Sequence, residues 1–331
     1  MNFVSAISLA GPRVVVTSTF PDALNRNPTV RSDLADGFAE LLGTERVSLA
    51  PLELAVSVIR ATRPDVVVAV GSLVPDLSDL RGLRRAADAV GAVLIFWLTD
   101  DPYEFDYAFK AELYADIVVS NDSWAAQHYR HPDVHHLPLA AAPNRHFRPI
   151  RPVAERETTV FFCGVAYPNR IALLRRIDDL LAHQVVEILG AGWPDTISCA
   201  VNRRLTPAQM ADYAAASRIT LNIGRDLDVA NRRLSLPQAT PGPRTFEVAL
   251  SGSAQAYFVT GLEICDHFEP DSEILLVDGA ADIARVIEQS LDDPASIELV
   301  ARRAQARALR EHTYRHRAAR LLDLTRMTVM A

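Results

Sequence analysis

Asp65-Val-Val-Val-Ala-Val70 and Ala92-Val-Leu-Ile-Phe-Trp-Leu98 decide the fold. Each is a short, almost unbroken apolar run. A strand with one wet face alternates apolar and polar residues, whereas a run without alternation is covered on both faces. Between the two lies Leu83–Val90, whose apolar spacing is helical. Strand, helix and strand, with both faces of the sheet covered, make a parallel crossover. The pattern continues outward. Arg13–Thr17 reads as a strand and Asp33–Leu42 as a helix, with Leu34, Phe38, Leu41 and Leu42 on one face. Downstream come a helix at Tyr107–Tyr114, a strand at Ile117–Ser120, a helix at Asn121–Arg130 capped by Asn121 or Asp122, and a strand at Val134–Leu137.

Arg148–Glu157 carries two prolines, several charges and no periodicity, so it reads as a linker. The second half then repeats the first. Thr159–Cys163, Gln184–Leu189, Ile219–Ile223, Ala254–Val259 and Ile274–Val277 read as strands. Arg170–Ala182, a helix opened by Thr206-Pro-Ala-Gln209 and running to Ala216, Pro243–Leu250 and Ala280–Leu291 read as helices. Thr206 and Gln209 form a capping box with proline at the first helical position. A long helical stretch from Asp293-Pro294 to Leu324 is expected to break near His312–Tyr314. Two such α/β halves leave a cleft, and ligands of these sheets bind beyond the carboxyl ends of the strands.

The 331 residues are 49% hydrophobic and 23% charged, a globular balance long enough for two cores. Forty-one acidic against 34 basic residues leave a net charge of -7, which speaks against a nucleic-acid partner. Lys110 is the only lysine, hence the sole candidate for Schiff-base chemistry, and its neighbours do not suggest that role. Cys163, Cys199 and Cys265 are odd in number and far apart, so neither a disulfide framework nor a zinc site is expected. That suits a reducing cytoplasm. Met1–Gly11 holds no basic residue and does not read as a secretory signal. The longest apolar run, Ala89–Leu98, falls short of the ~20 residues that cross a bilayer. A cytoplasmic protein without stable membrane insertion is expected.

Several segments carry candidate chemistry, each with a plainer reading beside it. Gly164-Val-Ala-Tyr-Pro-Asn-Arg170 turns from strand to helix, where a glycine and the helix N–H groups can take a phosphate; a tight turn accounts for it equally well. Gly190-Ala-Gly192 permits close ligand approach after a strand, or is an ordinary turn beside a packed Trp193. Asn222 ends a strand and leads into a loop of about twenty residues bearing Arg225, Arg232 and Arg233, a length that is functional or disordered in compact domains. Pro243-Arg-Thr-Phe-Glu247 then opens a helix. Arg244 stands where the helix dipole disfavours a cation, which an anionic ligand would explain. Glu247 can accept two ribose hydroxyls; the alternative is a surface Arg–Glu pair. Asp100 and Asp101 follow a buried strand and form either a polar-substrate site or a turn before Pro102. Proline restricts Asp101 to extended backbone, which would turn its side chain away from the sheet. His128, His131, His135, His136 and His146 lack zinc spacing, and His312 with His316 lacks a third ligand, so no metal is expected. The arginines from Arg302 to Arg320 read as a solvated helix face.

Taken in order, Trp97-Leu-Thr-Asp-Asp-Pro102, Ser120-Asn121, Leu137-Pro-Leu139, Phe162-Cys-Gly164 with Asn169-Arg170, Pro243-Arg-Thr-Phe-Glu247 and His312-Thr-Tyr-Arg315 resemble the CgeB-like, spore-maturation type glycosyltransferases over nearly the whole chain. The resemblance implies a GT-B architecture: α/β, with two Rossmann-like doubly wound domains facing a central cleft. Residues 1–147 would be the acceptor domain, 148–157 the linker and 158–310 the nucleotide-sugar domain. A terminal helix, 311–331, would cross back to the first domain. The implied reaction is metal-independent transfer from a nucleoside diphosphate sugar to a small-molecule or polymeric acceptor, without a cofactor. The resemblance puts Gly164 and Arg170 near the diphosphate, Arg244 on the phosphates and Glu247 on the ribose. Together with the segments above, the donor set is Gly164, Asn169, Arg170, Gly190, Asn222, Arg225, Arg244, Thr245 and Glu247. The catalytic set is Asp100 and Asp101, which orient or deprotonate the acceptor with Asp101 favoured, and Arg244, which stabilises the departing diphosphate. The better-known retaining pattern carries a glutamate eight residues before Glu247, where this chain has Ala239, so retention and inversion both stay open. Two other readings are a sugar-nucleotide epimerase on the same scaffold and a non-catalytic two-lobed binding protein.

Overall fold

The computed structural model describes residues 11–24, 29–74 and 77–328. All of Met1–Gly11 except Gly11, the stretch with no secretory signature, lies outside them. The chain forms two compact units. The first takes the residues up to Leu139, then Asp228–Gln238, then Tyr314 onward; the second takes Ala140–Leu227 and Ala239–Thr313.

The first unit is built on β1 (Val14–Ser18), β2 (Val47–Leu49), β3 (Val66–Gly71), β4 (Val93–Leu98), β5 (Ile117–Ser120) and β6 (Val134–His136). All pair in parallel, in the order β2-β1-β3-β4-β5-β6. Val66 to Val70 are fully or almost fully buried, as a strand covered on both faces must be. The second unit holds β7 (Thr158–Val165), β8 (Val186–Ala191), β9 (Ala200–Val201), β10 (Ser217–Asn222), β11 (Ala254–Phe258) and β12 (Leu275–Val277). They are again parallel, in the order β12-β11-β10-β7-β8-β9. Both sheets are doubly wound, so the two Rossmann-like domains expected from the sequence are present. In each, the strand order reverses beside the first strand: between β1 and β3, and between β7 and β10. Those reversals open a crevice at the carboxyl ends.

Several boundaries differ from the sequence reading. β2, β9 and the helix Leu52–Thr62 were not expected. The helix expected at Arg170–Ala182 is two pieces, Pro168–Arg176 and Asp178–Leu181, interrupted at Ile177. The one expected at Asn121–Arg130 shrinks to Ser123–Ala126, capped by Asp122 through the Trp124 and Ala125 N–H groups. The capping box at Thr206 is present. The terminal stretch breaks as expected, into Pro294–Glu311 and Tyr314–Thr328. Arg148–Glu157, expected as a linker, is counted within the second unit. There Val153 and Arg156 are buried, and the Arg156 guanidinium donates to the carbonyls of Ser217, Arg151 and Gly252. Burial lowers that guanidinium to about 10.

In the first unit, Thr29–Leu42 packs on Tyr314–Thr328. Gly37 permits the contact: a Cβ there would lie 2.6 Å from the Tyr314 carbonyl. Buried Arg317, one turn on, donates to the Pro138 and Leu139 carbonyls. Among the described residues no helix is long and apolar enough to cross a membrane.

Candidate functional site

The reversal in the second sheet gathers most of the expected donor residues. Arg170 leaves the first turn of its helix and spans the carboxyl ends of β7 and β10. Its guanidinium donates to Val165 O at 3.0 Å, Ile223 O at 2.7 and 3.1 Å, and Gly224 O at 3.2 Å, lying over Phe162 and Tyr167. Asn169 Nδ2 adds a bond to Gly224 O. These donors fix the two strand ends, so Arg170 shapes the crevice through backbone carbonyls. Gly164 makes room for it: a Cβ there would sit 2.7 Å from Arg170 Nη1. Gly190 answers a packing need too, since its Cβ would lie 1.8 Å from the Gly164 carbonyl oxygen.

Asn222, at the end of β10, donates to Thr245 Oγ1 at 2.8 Å and Gln255 Oε1 at 3.0 Å; Gln255 Nε2 donates to Thr245 O. Thr245 is fully buried, so it and Asn222 hold the start of the helix Pro243–Leu250 rather than reach outward. Gln255 is missed by sequence reasoning because the β10–β11 register alone brings it to Asn222. That anchored helix presents Arg244 and Glu247 together, with Arg244 Nη1 3.0 Å from Glu247 Oε2. Glu247 Oε1 lies 3.8 Å from Nε2 of buried His146, a residue the sequence reading considered only for zinc. Burial keeps the His146 ring below the ordinary histidine range. Cys163 is close enough to feel Arg244, Glu247 and Arg170, though burial dominates and pushes its thiol up. Arg225 is half-buried on the loop after β10.

The rest of that loop, read from sequence as functional or disordered, is neither beside the donor residues nor without order: Arg232 and Arg233 belong to the first unit. Their N–H groups donate to the Asp106 carboxylate at 2.8 and 3.1 Å. Val229 and Ala230 donate to Tyr103 O, and buried Leu236 joins the first core. The loop is long because it builds part of the other unit.

The acidic turn after β4 also departs from expectation. Asp101 does not project outward: it is 2% exposed, with Oδ2 accepting from Ser120 Oγ at 2.7 Å and Tyr129 Oη at 2.8 Å. Glu104, not singled out from sequence, is equally buried and accepts from Ser72 Oγ and the Leu73 N–H. Lys110 clamps the same loop through the Leu73 and Val74 carbonyls, a structural role for the only lysine. Burial pushes the carboxyls of Asp101 and Glu104 up to about 7 and about 8. Asp100 is only partly buried and takes a bond from Thr99 Oγ1. Of the two aspartates, Asp100 is therefore the one a solute can reach.

Those raised values carry a sign. Between about pH 4 and 7 the folded state keeps a proton on Asp101 that the unfolded chain has lost, so folding loses stability as pH rises through that window. Asp101→Asn removes this dependence. The stability of the wild type is expected to fall relative to Asp101→Asn between pH 5 and 7, by at most about 1.4 kcal/mol per pH unit, and its melting temperature to fall with it. A constant difference in melting temperature would mean that Ser120 and Tyr129 hold Asp101 ionised throughout.

Residues 170–323 match a protein family described as glycosyl transferase-like. The stretch contains Arg170, Asn222, Arg244, Thr245 and Glu247, and the chain has the GT-B fold of two Rossmann-like domains. The chain is 23% identical over 186 residues to the spore protein CgeB of Bacillus subtilis (strain 168), covering 52% of this chain and 57% of CgeB. Thus the match takes in little more than half of that relative. Among solved structures, AviGT4, a glycosyltransferase involved in avilamycin A biosynthesis, aligns over 97% of this chain and 98% of its own, with a TM-score of 0.64 and 15% identity. Anabaena HepE, crystallised with UDP and glucose, aligns over 94% and 99%, with a TM-score of 0.61 and 12% identity.

Proposed function

We propose that this protein transfers a sugar from a nucleoside diphosphate sugar to an acceptor hydroxyl, with the donor bound by the second unit and the acceptor by the first. The observation that carries the reading is the Arg244–Glu247 pair, presented at the start of a helix within the glycosyl transferase-like segment. Arg244 and the helix N–H groups would neutralise the departing diphosphate without a resident metal, and Glu247 would take the ribose hydroxyls. Thr245, Asn222 and Arg170 would position that pair. Asp100 would accept the acceptor's proton or orient its hydroxyl. The HepE complex makes UDP the first nucleotide to test. The reading includes a cytoplasmic location, which the free state of all three cysteines supports.

Glu247→Ala is expected to leave the fold intact and weaken nucleoside diphosphate binding by about 10- to 100-fold, the value of a charged hydrogen bond. Calorimetric titration reads it, and unchanged affinity would remove Glu247 from the donor site. A donor-only incubation separates transfer from epimerisation. An epimerase converts the sugar nucleotide without an acceptor; the transferase leaves it intact apart from slow hydrolysis.

A further inference from the structure

The His146 ring is 3% exposed, and its Nε2 has no hydrogen-bond partner among the described residues. A buried polar group left without a partner is costly, so its surroundings require an account. The other ring nitrogen explains which atom carries the proton. Ala142 O already accepts the backbone N–H groups of His146 and Arg145, at 2.9 and 3.1 Å. The buried Ala142 N–H has Nδ1 as its acceptor, at 3.1 Å. Nδ1 also lies 3.1 Å from the Ala142 carbonyl oxygen; because that oxygen already has two N–H donors and the Ala142 N–H is directed at Nδ1, the lone pair is assigned to Nδ1 and the proton to Nε2. That N–H faces Glu247 Oε1 across 3.8 Å, beyond hydrogen-bond distance. Meanwhile Glu247 is held by Arg244 through its other oxygen.

We propose that His146 is a positioning residue for Glu247, whose Nε2–H closes onto Oε1 when Arg244 turns from Oε2 to a bound diphosphate. This rests on the donor-site reading above. Arg244 holds Glu247 through Oε2, while the imidazole N–H has no partner among the described residues. A diphosphate would compete for Arg244, and the carboxylate would then lose that donor just as it must hold the ribose. A shift of about an ångström brings Oε1 to hydrogen-bond distance of Nε2. The exchange keeps Glu247 oriented and charged while Arg244 serves the phosphates. Short Pro143–His146, fixed by the Ala142 bonds, supplies the rigid mount.

Two substitutions divide the ring. His146→Asn keeps an acceptor near Nδ1 for Ala142 and removes Nε2. His146→Gln carries an amide N–H toward the Nε2 position and gives up the Ala142 contact. Each is titrated with UDP, GDP and dTDP by calorimetry, and the tightest nucleotide is carried into Glu247→Ala and the double variant Glu247→Ala with His146→Asn. The expected result is about a tenfold loss of diphosphate affinity in His146→Asn, most of it restored in His146→Gln, and no further loss when His146→Asn is added to Glu247→Ala. Equal losses in both backgrounds, or a larger loss in Gln than in Asn, would make His146 a merely structural residue and overturn the proposal. So would wild-type affinity in His146→Asn. If Glu247→Ala itself binds like the wild type, the donor-site reading fails first, and this inference falls with it.

Discussion

Asp100→Asn is expected to lower sugar transfer by about 10²-fold or more, the usual contribution of a positioned proton acceptor, while nucleotide affinity stays at its wild-type value. The two adjacent aspartates are not equivalent. Asp101 is closed in by Ser120 and Tyr129 and cannot meet a substrate without leaving them. Asp100 precedes it in the turn after β4, beyond the carboxyl end of the sheet, and is only partly buried. Buried Glu104 and Asp101 both feel its charge. Asparagine keeps the shape and the bond from Thr99 while removing the charge. The check is an initial transfer rate at saturating donor, beside a calorimetric titration with nucleotide. Transfer at the wild-type rate would leave the acidic turn a structural feature of the first unit. Lost nucleotide binding in a folded variant would instead mean that the donor is not confined to the second unit.

Gly190→Ala is expected to destabilise the second unit by about 3 kcal/mol or more. Its added Cβ would meet the Gly164 carbonyl oxygen at 1.8 Å, and the φ of 154° is one that residues with a side chain rarely adopt. Neither obstacle can relax by rotating a side chain, because the clash is with the backbone of the neighbouring strand. Relief requires β7 and β8 to part where Gly164 pairs with Gly190. A lower denaturation midpoint with an unchanged slope is the result to look for. A variant of wild-type stability that has lost only nucleotide affinity would restore the ligand-approach role given to Gly190 from sequence.

The interior strands were legible because residues such as Val66–Val70 and Leu94–Leu98 have to be apolar on both faces. β2 and β9 were not, since strands of three and two residues with Leu49 and Val201 exposed carry no such constraint. Leu52, Ala55 and Ile59 did offer a helical spacing that the sequence reading passed over. In the site, Arg244 and Glu247 could be paired because three positions along a helix share a face. Partners distant in sequence could not: Arg170 reaches Ile223 and Asn222 reaches Gln255 through strand order and register, and His146 faces Glu247 through the packing of two helices. Proline suggested an outward Asp101, but the pull of Ser120 and Tyr129 from β5 and the residues after it is a tertiary effect.

A nucleoside diphosphate held by the second unit, as proposed above, would stabilise that unit against unfolding. Thermal denaturation in EDTA with UDP, GDP or dTDP tests it without knowledge of the sugar or the acceptor. At ~100 times its dissociation constant, a ligand of the native state adds ~2.7 kcal/mol, several degrees of melting temperature for a protein of this size. At least one of the three should raise the transition by that amount in the wild type and by much less in Glu247→Ala. No shift with any of them at millimolar concentration, or an equal shift in Glu247→Ala, would contradict a nucleotide site on the second unit.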